Sequence, residues 1–140
     1  MNCEIQARAS GSPRPSRVRS LLGRVAKMTG ASPREVSVLF CGDARMRTLN
    51  RRYRRRDSST DVLAFPAGET EGGLLGDIVV SVPYAARQAR RRREPLSREI
   101  DRLLVHGFLH LLGYDHETDR GEMDELEGSL RRRLRIGEEA

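Results

Sequence analysis

The chain has 140 residues, of which 37% are apolar and 33% charged, with a formal net charge of +6. That is the length of one ordinary domain, and no apolar run approaches the roughly 20 residues of a membrane span. Two cysteines, Cys3 and Cys41, are too few for a disulfide framework. Met1 to Arg14 contain no apolar core followed by a small-residue cleavage site, so the expected setting is a reducing cytoplasm. The basic side chains are almost all arginine, with Lys27 the one lysine. Clustered positive charge suits a polyanion partner. A GC-rich coding sequence gives the same composition without any such partner, so the arginines must be weighed by position.

Residues 1–15 read as a frayed or edge-strand start, with Gly11, Pro13 and Pro15 as breakers. Val18, Leu21, Leu22, Val25 and Met28 then recur at helical spacing, and Gly30 sits where a glycine closes a helix. Val36–Phe40 reads as a strand. Asp43 is placed to cap a second helix whose Met46, Leu49 and Tyr53 share a face. Beyond the basic stretch Arg51–Arg56, Asp61–Phe65 forms a second strand closed by Pro66, and the loop Ala67–Gly73 suits a hairpin. Leu75–Val82 supplies a further strand, and Pro83 fits the first turn of a helix that runs into Arg90–Arg93.

A helix beginning near Ser97 carries Ile100, Leu103, Leu104, Phe108, Leu111 and Leu112 on a broad apolar face and stops at Gly113. A last helix follows Thr118, with Met123, Leu126, Leu130 and Leu134 at spacings of three and four. Strands interleaved with helices predict a single α/β or α+β domain over 1–140. Its expected form is one mixed sheet of about four strands covered by helices.

All three histidines fall between His106 and His116. His106 and His110 are four apart, so on a helix they leave the same face one turn apart, the spacing two imidazoles need to share one ion. Gly113 can take the left-handed conformation that ends the helix and returns His116 to the same ion. Three imidazoles leave a fourth position for water, as in catalytic zinc sites.

The spacing matches the metzincin pattern H-E-x-x-H-x-x-G-x-x-H at every histidine and at the glycine. Where those proteases carry their glutamate base, however, this chain has Gly107. A glycine abstracts no proton, which argues against peptide hydrolysis and leaves metal activation of water intact. Asp115 and Glu117 flank the last ligand and suit orientation of it better than catalysis.

The segment H-G-x-L-H-L-L-G-Y-D-H over His106–His116 resembles the signature of the YbeY family of bacterial rRNA-maturation endoribonucleases. Leu49-Asn50, Tyr53-Arg54, Asp57 and Thr60–Pro66 resemble that family's L-N-x-x-Y-R-x-x-D and T-D-V-L-S-F-P segments, and Leu75–Val79 its L-G-D-I-V strand. The resemblance covers roughly residues 35–130. Ser59 and Ala64 depart from the family's usual proline and serine.

The resemblance implies a zinc-dependent, single-strand-specific endoribonuclease that matures the small-subunit rRNA 3′ end and serves ribosome quality control. It implies one zinc ion on His106, His110 and His116, with nickel or cobalt as alternatives, and a functional arginine at Arg54. Arg54 and His110 are the expected catalytic residues. A guanidinium suits that work because it binds phosphate bidentately. The expected partners are rRNA and the small ribosomal subunit or its proteins, with neither membrane nor DNA.

Asp61 and Asp77 read as structural acids near strand starts, and Arg90–Arg93 and Arg131–Arg135 as solvated helix faces. The short stretch beyond Leu134 leaves little room for an RNA-contacting tail. Aromatic residues are 4% of the chain, so contact with nucleic-acid backbone should outweigh base stacking. Two other readings stay open: a ribosome-assembly factor in which zinc only stabilises the fold, and a metal hydrolase of peptides or small molecules.

Overall fold

A computed structural model of the chain describes residues 1–33, 35–68, 73–114 and 121–134, apart from the side chains at 123, 124 and 131. The elements in chain order are β1 (Asn2–Ala7), α1 (Pro15–Thr29), β2 (Glu35–Cys41), α2 (Asp43–Arg54), β3 (Val62–Pro66), β4 (Leu74–Ser81), α3 (Val82–Arg91), α4 (Leu96–Leu111) and α5 (Glu122–Leu134). The strands form one sheet in the order β1-β2-β4-β3. β1 and β4 run parallel to β2, while β3 runs antiparallel to β4 as the other arm of a hairpin. The sheet is therefore the expected mixed one. None of the described helices is long and apolar enough to cross a membrane.

Strand alternation divides the core in two. Val36, Val38, Phe40, Ala64, Ile78 and Val80 face one side, where α1 and α4 supply Leu22, Val25, Ile100, Leu104 and Phe108. Leu63, Val79 and Cys41 face the other side and meet Met46 of α2. Residues 2–7, expected as a frayed or edge start, form a full edge strand: Cys3 is in register with Val36 and Ile5 with Val38.

Local chemistry accounts for the helix ends. Gly30 closes α1 in the left-handed region (φ 72°). α3 starts at Ser81, whose hydroxyl accepts from the Tyr84 amide at 3.3 Å. The expectation for Asp43 is corrected. Gly42 holds the cap position of α2 without a side-chain cap bond, and Asp43 is the first helical residue.

Asp43 instead joins three elements. Its carboxylate accepts from Ser59 at 2.6 Å, from Ser81 at 3.1 Å and from the Arg87 guanidinium at 2.7 and 3.1 Å. Chiefly through the Arg87 bond, its pKa is lowered from 3.8 to about 2. The turn after α2 is held in a similar way: Arg47 grips Asp57 with two bonds of 2.7 and 2.9 Å.

Candidate metal and phosphate site

The site begins with how α4 lies on the sheet. Gly107 is buried against β4, and a Cβ built there would stand 2.9 Å from Ile78 Cγ2 and 3.5 Å from Val62 Cγ2. Glycine thus permits a close approach that any side chain would prevent. The position that holds the metzincin base points at the sheet here, so a physical reason stands behind the missing glutamate.

With α4 seated this way, His106 and His110 stand at the cleft wall with Nε2 atoms 3.1 Å apart and rings inclined at 69°. Two zinc–nitrogen bonds of about 2.0–2.1 Å at a tetrahedral angle would place their nitrogens about 3.4 Å apart, so a small adjustment of the rings suffices to share an ion. The pair fits the donor chemistry of zinc.

His116, Asp115 and Glu117 lie outside the described residues. Among the described residues no group of three or more His, Cys, Asp or Glu is arranged to hold a metal. Gly113 has φ 102°, the left-handed geometry expected of the residue that turns the chain out of α4.

Behind His106, its Nδ1 lies 2.8 Å from the Glu127 carboxylate of α5. The sequence carries no local signal for Glu127, which lies 21 residues from His106 on another helix.

The cleft in front of the pair has a volume of about 570 Å³ and is lined by Asn50, Arg54, Arg56, Ser58–Thr60, Val62–Ala64, Tyr84, His106, Gly107 and His110. Among the described lining residues are two arginines and two histidines, and no carboxylate. Such a lining favours an anion.

Arg54 stands in this cleft. Its Nη2 donates to the Ala64 carbonyl at 2.9 Å and its guanidinium lies 5.5 Å from the centre of the Phe65 ring. A guanidinium has five N–H donors, so this one bond fixes the group while leaving donors for a phosphate. Asn50, which is buried, donates to the Ser58 carbonyl at 2.9 Å and shapes the same wall.

The acids gather elsewhere. A second cavity of about 290 Å³ on the far side of His106 is lined by Asp61, Glu99, Glu127, Arg92 and Arg102 among others. Asp61 holds its own loop, accepting from the Val62 amide at 2.7 Å and from Gln88 at 3.3 Å, in keeping with a structural acid. Asp77 is exposed and borders the groove on the α2 side of the sheet, away from the histidines.

One expectation about the arginine runs is corrected. Arg92 is not merely solvated: its guanidinium reaches both oxygens of the buried Glu99, at 3.2 and 3.1 Å, because a carboxylate inside α4 needs a charged partner. Cys3 and Cys41 are free and buried, with thiol pKa values pushed up mainly by that burial.

Comparison with known proteins adds a family. The family model described as Endoribonuclease YbeY matches residues 10–135. An Endoribonuclease YbeY of Moorella thermoacetica is 43% identical over 140 residues, an alignment covering 89% of this chain and 90% of that protein. Relatives of the same name from Anaeromyxobacter sp. and Anaeromyxobacter dehalogenans are each 50% identical over 107 residues, 74% of this chain. Against these two, the chain spans only 56% and 55% of the relative's length. The solution structure of TM1509 from Thermotoga maritima superposes with a TM-score of 0.68 at 27% identity, covering 95% of this chain and 91% of that one.

Proposed function

The chain belongs to the YbeY family of endoribonucleases, and from that premise we propose that it is a zinc-dependent, single-strand-specific endoribonuclease. In this reading it matures the 3′ end of small-subunit rRNA and serves ribosome quality control in the cytoplasm. The observation that carries the proposal is the pair of Nε2 atoms 3.1 Å apart in a cleft that also holds Arg54 and Arg56.

His106, His110 and His116 would hold the ion, with zinc favoured by an all-imidazole set and nickel or cobalt compatible with it. When bound, the ion supplies a Lewis acid and brings the pKa of water to near neutrality. The chain's own residues do the rest. Arg54, its orientation set by the Ala64 carbonyl and the Phe65 ring, binds the scissile phosphate and balances charge as the phosphodiester is attacked. Arg56 extends the same positive wall along the RNA backbone. Gly107 keeps α4 close to the sheet, so the two imidazoles stay level with that wall.

The test is cleavage of a labelled single-stranded rRNA 3′-end fragment by zinc-loaded protein, beside His110→Ala purified identically. Cleavage by the wild type alone, stopped by chelator, supports the proposal. Product ends then distinguish direct hydrolysis, which leaves a 3′-hydroxyl, from attack by the RNA's 2′-hydroxyl, which leaves a cyclic phosphate. Equal cleavage by both proteins, or none by a zinc-loaded wild type, overturns it.

A further inference from the structure

We propose that Glu127 is a positioning residue that couples the docking of α5 to metal occupancy of the His106–His110 pair. The proposal rests on the metal site described above.

Its geometry is direct: the Glu127 carboxylate lies 2.8 Å from His106 Nδ1, and His106 Nε2 lies 3.1 Å from His110 Nε2. A carboxylate only accepts, so it selects the tautomer with hydrogen on Nδ1 and leaves the Nε2 lone pair directed at the ion. The bond also fixes the ring's rotation, which an exposed imidazole would otherwise lose on binding.

The neighbouring carboxylate is committed elsewhere. Glu99 is taken by Arg92 and Arg102, and Arg102 also binds Glu94. Asp61 is held by the Val62 amide and Gln88, so among the described acids of this cavity Glu127 is the one within hydrogen-bond distance of the imidazole.

The consequence for α5 follows from linkage. This helix is anchored by Leu130 and Leu134, which are buried, with Leu126 partly so. The Glu127–His106 bond adds a polar tie to α4. If α5 must be docked for His106 to be oriented, then metal on His106 must favour the docked helix by the same factor.

Zinc affinity is measured by competition with a chromogenic chelator for the full chain, Glu127→Ala and Glu127→Gln. Hydrogen exchange over 122–134 is followed with and without zinc. Glu127→Ala should bind zinc about 10–100-fold more weakly. Glu127→Gln, whose amide oxygen still accepts from Nδ1–H, should recover most of that loss. At saturating zinc, exchange of α5 should slow in the wild type and slow less in Glu127→Ala.

Zinc affinity of Glu127→Ala indistinguishable from wild type overturns the proposal while leaving the metal site standing. Should the alanine variant fail to fold, the wild type decides, since exchange of α5 that zinc leaves unaltered equally overturns the coupling. A wild type that takes up no zinc at all overturns both this inference and the reading beneath it.

Discussion

Placing a methyl group at Gly107 tests whether α4 owes its position to a missing side chain. In an ordinary helix Gly→Ala gains about 1 kcal/mol. Here the new Cβ would sit 2.9 Å from Ile78 Cγ2, whereas carbon–carbon contacts prefer about 3.5–4.0 Å, so Ile78 or the helix must give way by roughly half an ångström or more. Overpacking of this kind costs about 1–3 kcal/mol. Ile78 lies in the middle of the sheet and is fully buried, so it has no solvent to move into. The net expectation for Gly107→Ala is a loss of about 0–2 kcal/mol, with zinc binding weakened as the histidines lift from the cleft wall.

Ile78→Ala removes the clashing Cγ2 and the Cγ1 that would stand at 3.4 Å, and by itself costs about 2–5 kcal/mol. In that background Gly107→Ala should become neutral or stabilising, a coupling of about 1–3 kcal/mol. Urea unfolding of the four proteins measures it, through midpoints at constant m-value. If Gly107→Ala stabilises the wild type by its helix propensity alone, the close contact and the account of the missing glutamate are both wrong.

Two further predictions concern charged groups. Asp43 has its pKa lowered from 3.8 to about 2, so its contribution is fully present above about pH 4–5 and is lost as pH falls toward 2. Unscreened, the shift corresponds to about 2.5 kcal/mol, but the side chain is 36% exposed, so about 1 kcal/mol is expected. Asp43→Asn should lose that amount at pH 7 and flatten the acid limb of a stability–pH curve. An unchanged acid limb would refute it. Arg54→Ala should lower RNA cleavage by about 10²–10³-fold and stability by no more than about 1 kcal/mol, since its one hydrogen bond among the described residues is to a carbonyl. Arg54→Lys should recover little, because an ammonium lacks the planar fork; single-turnover rates and thermal melts separate these outcomes.

The helices and inner strands were legible because their apolar residues keep a period. Val36, Val38 and Phe40 alternate, and the stripe from Ile100 to Leu111 holds one face of α4. Gly30 and Gly113 marked the helix ends through the backbone conformation they permit. β1 was harder. Cys3 and Ile5 are too few to declare a strand, and what makes it one is parallel pairing with β2, a partner across the intervening α1.

The histidine pair was readable since both donors lie on one helix, four residues apart. Glu127 was not, because its contact is tertiary. Asp43 was misread for a similar reason: local rules assign it a cap, whereas Arg87, Ser59 and Ser81 arrive from distant parts of the chain. For Gly107, the sequence told which chemistry was missing, and only the packing of α4 on Ile78 supplied the cause.

In the proposed function, RNA cleavage depends on an ion held by the histidines. That dependence is met most directly by titrating zinc into metal-free protein while recording the initial rate on single-stranded RNA. No cleavage is expected without metal, and the rate should rise with occupancy and level off at one zinc per chain. A rate already present in the metal-free protein, or one indifferent to zinc, would contradict it.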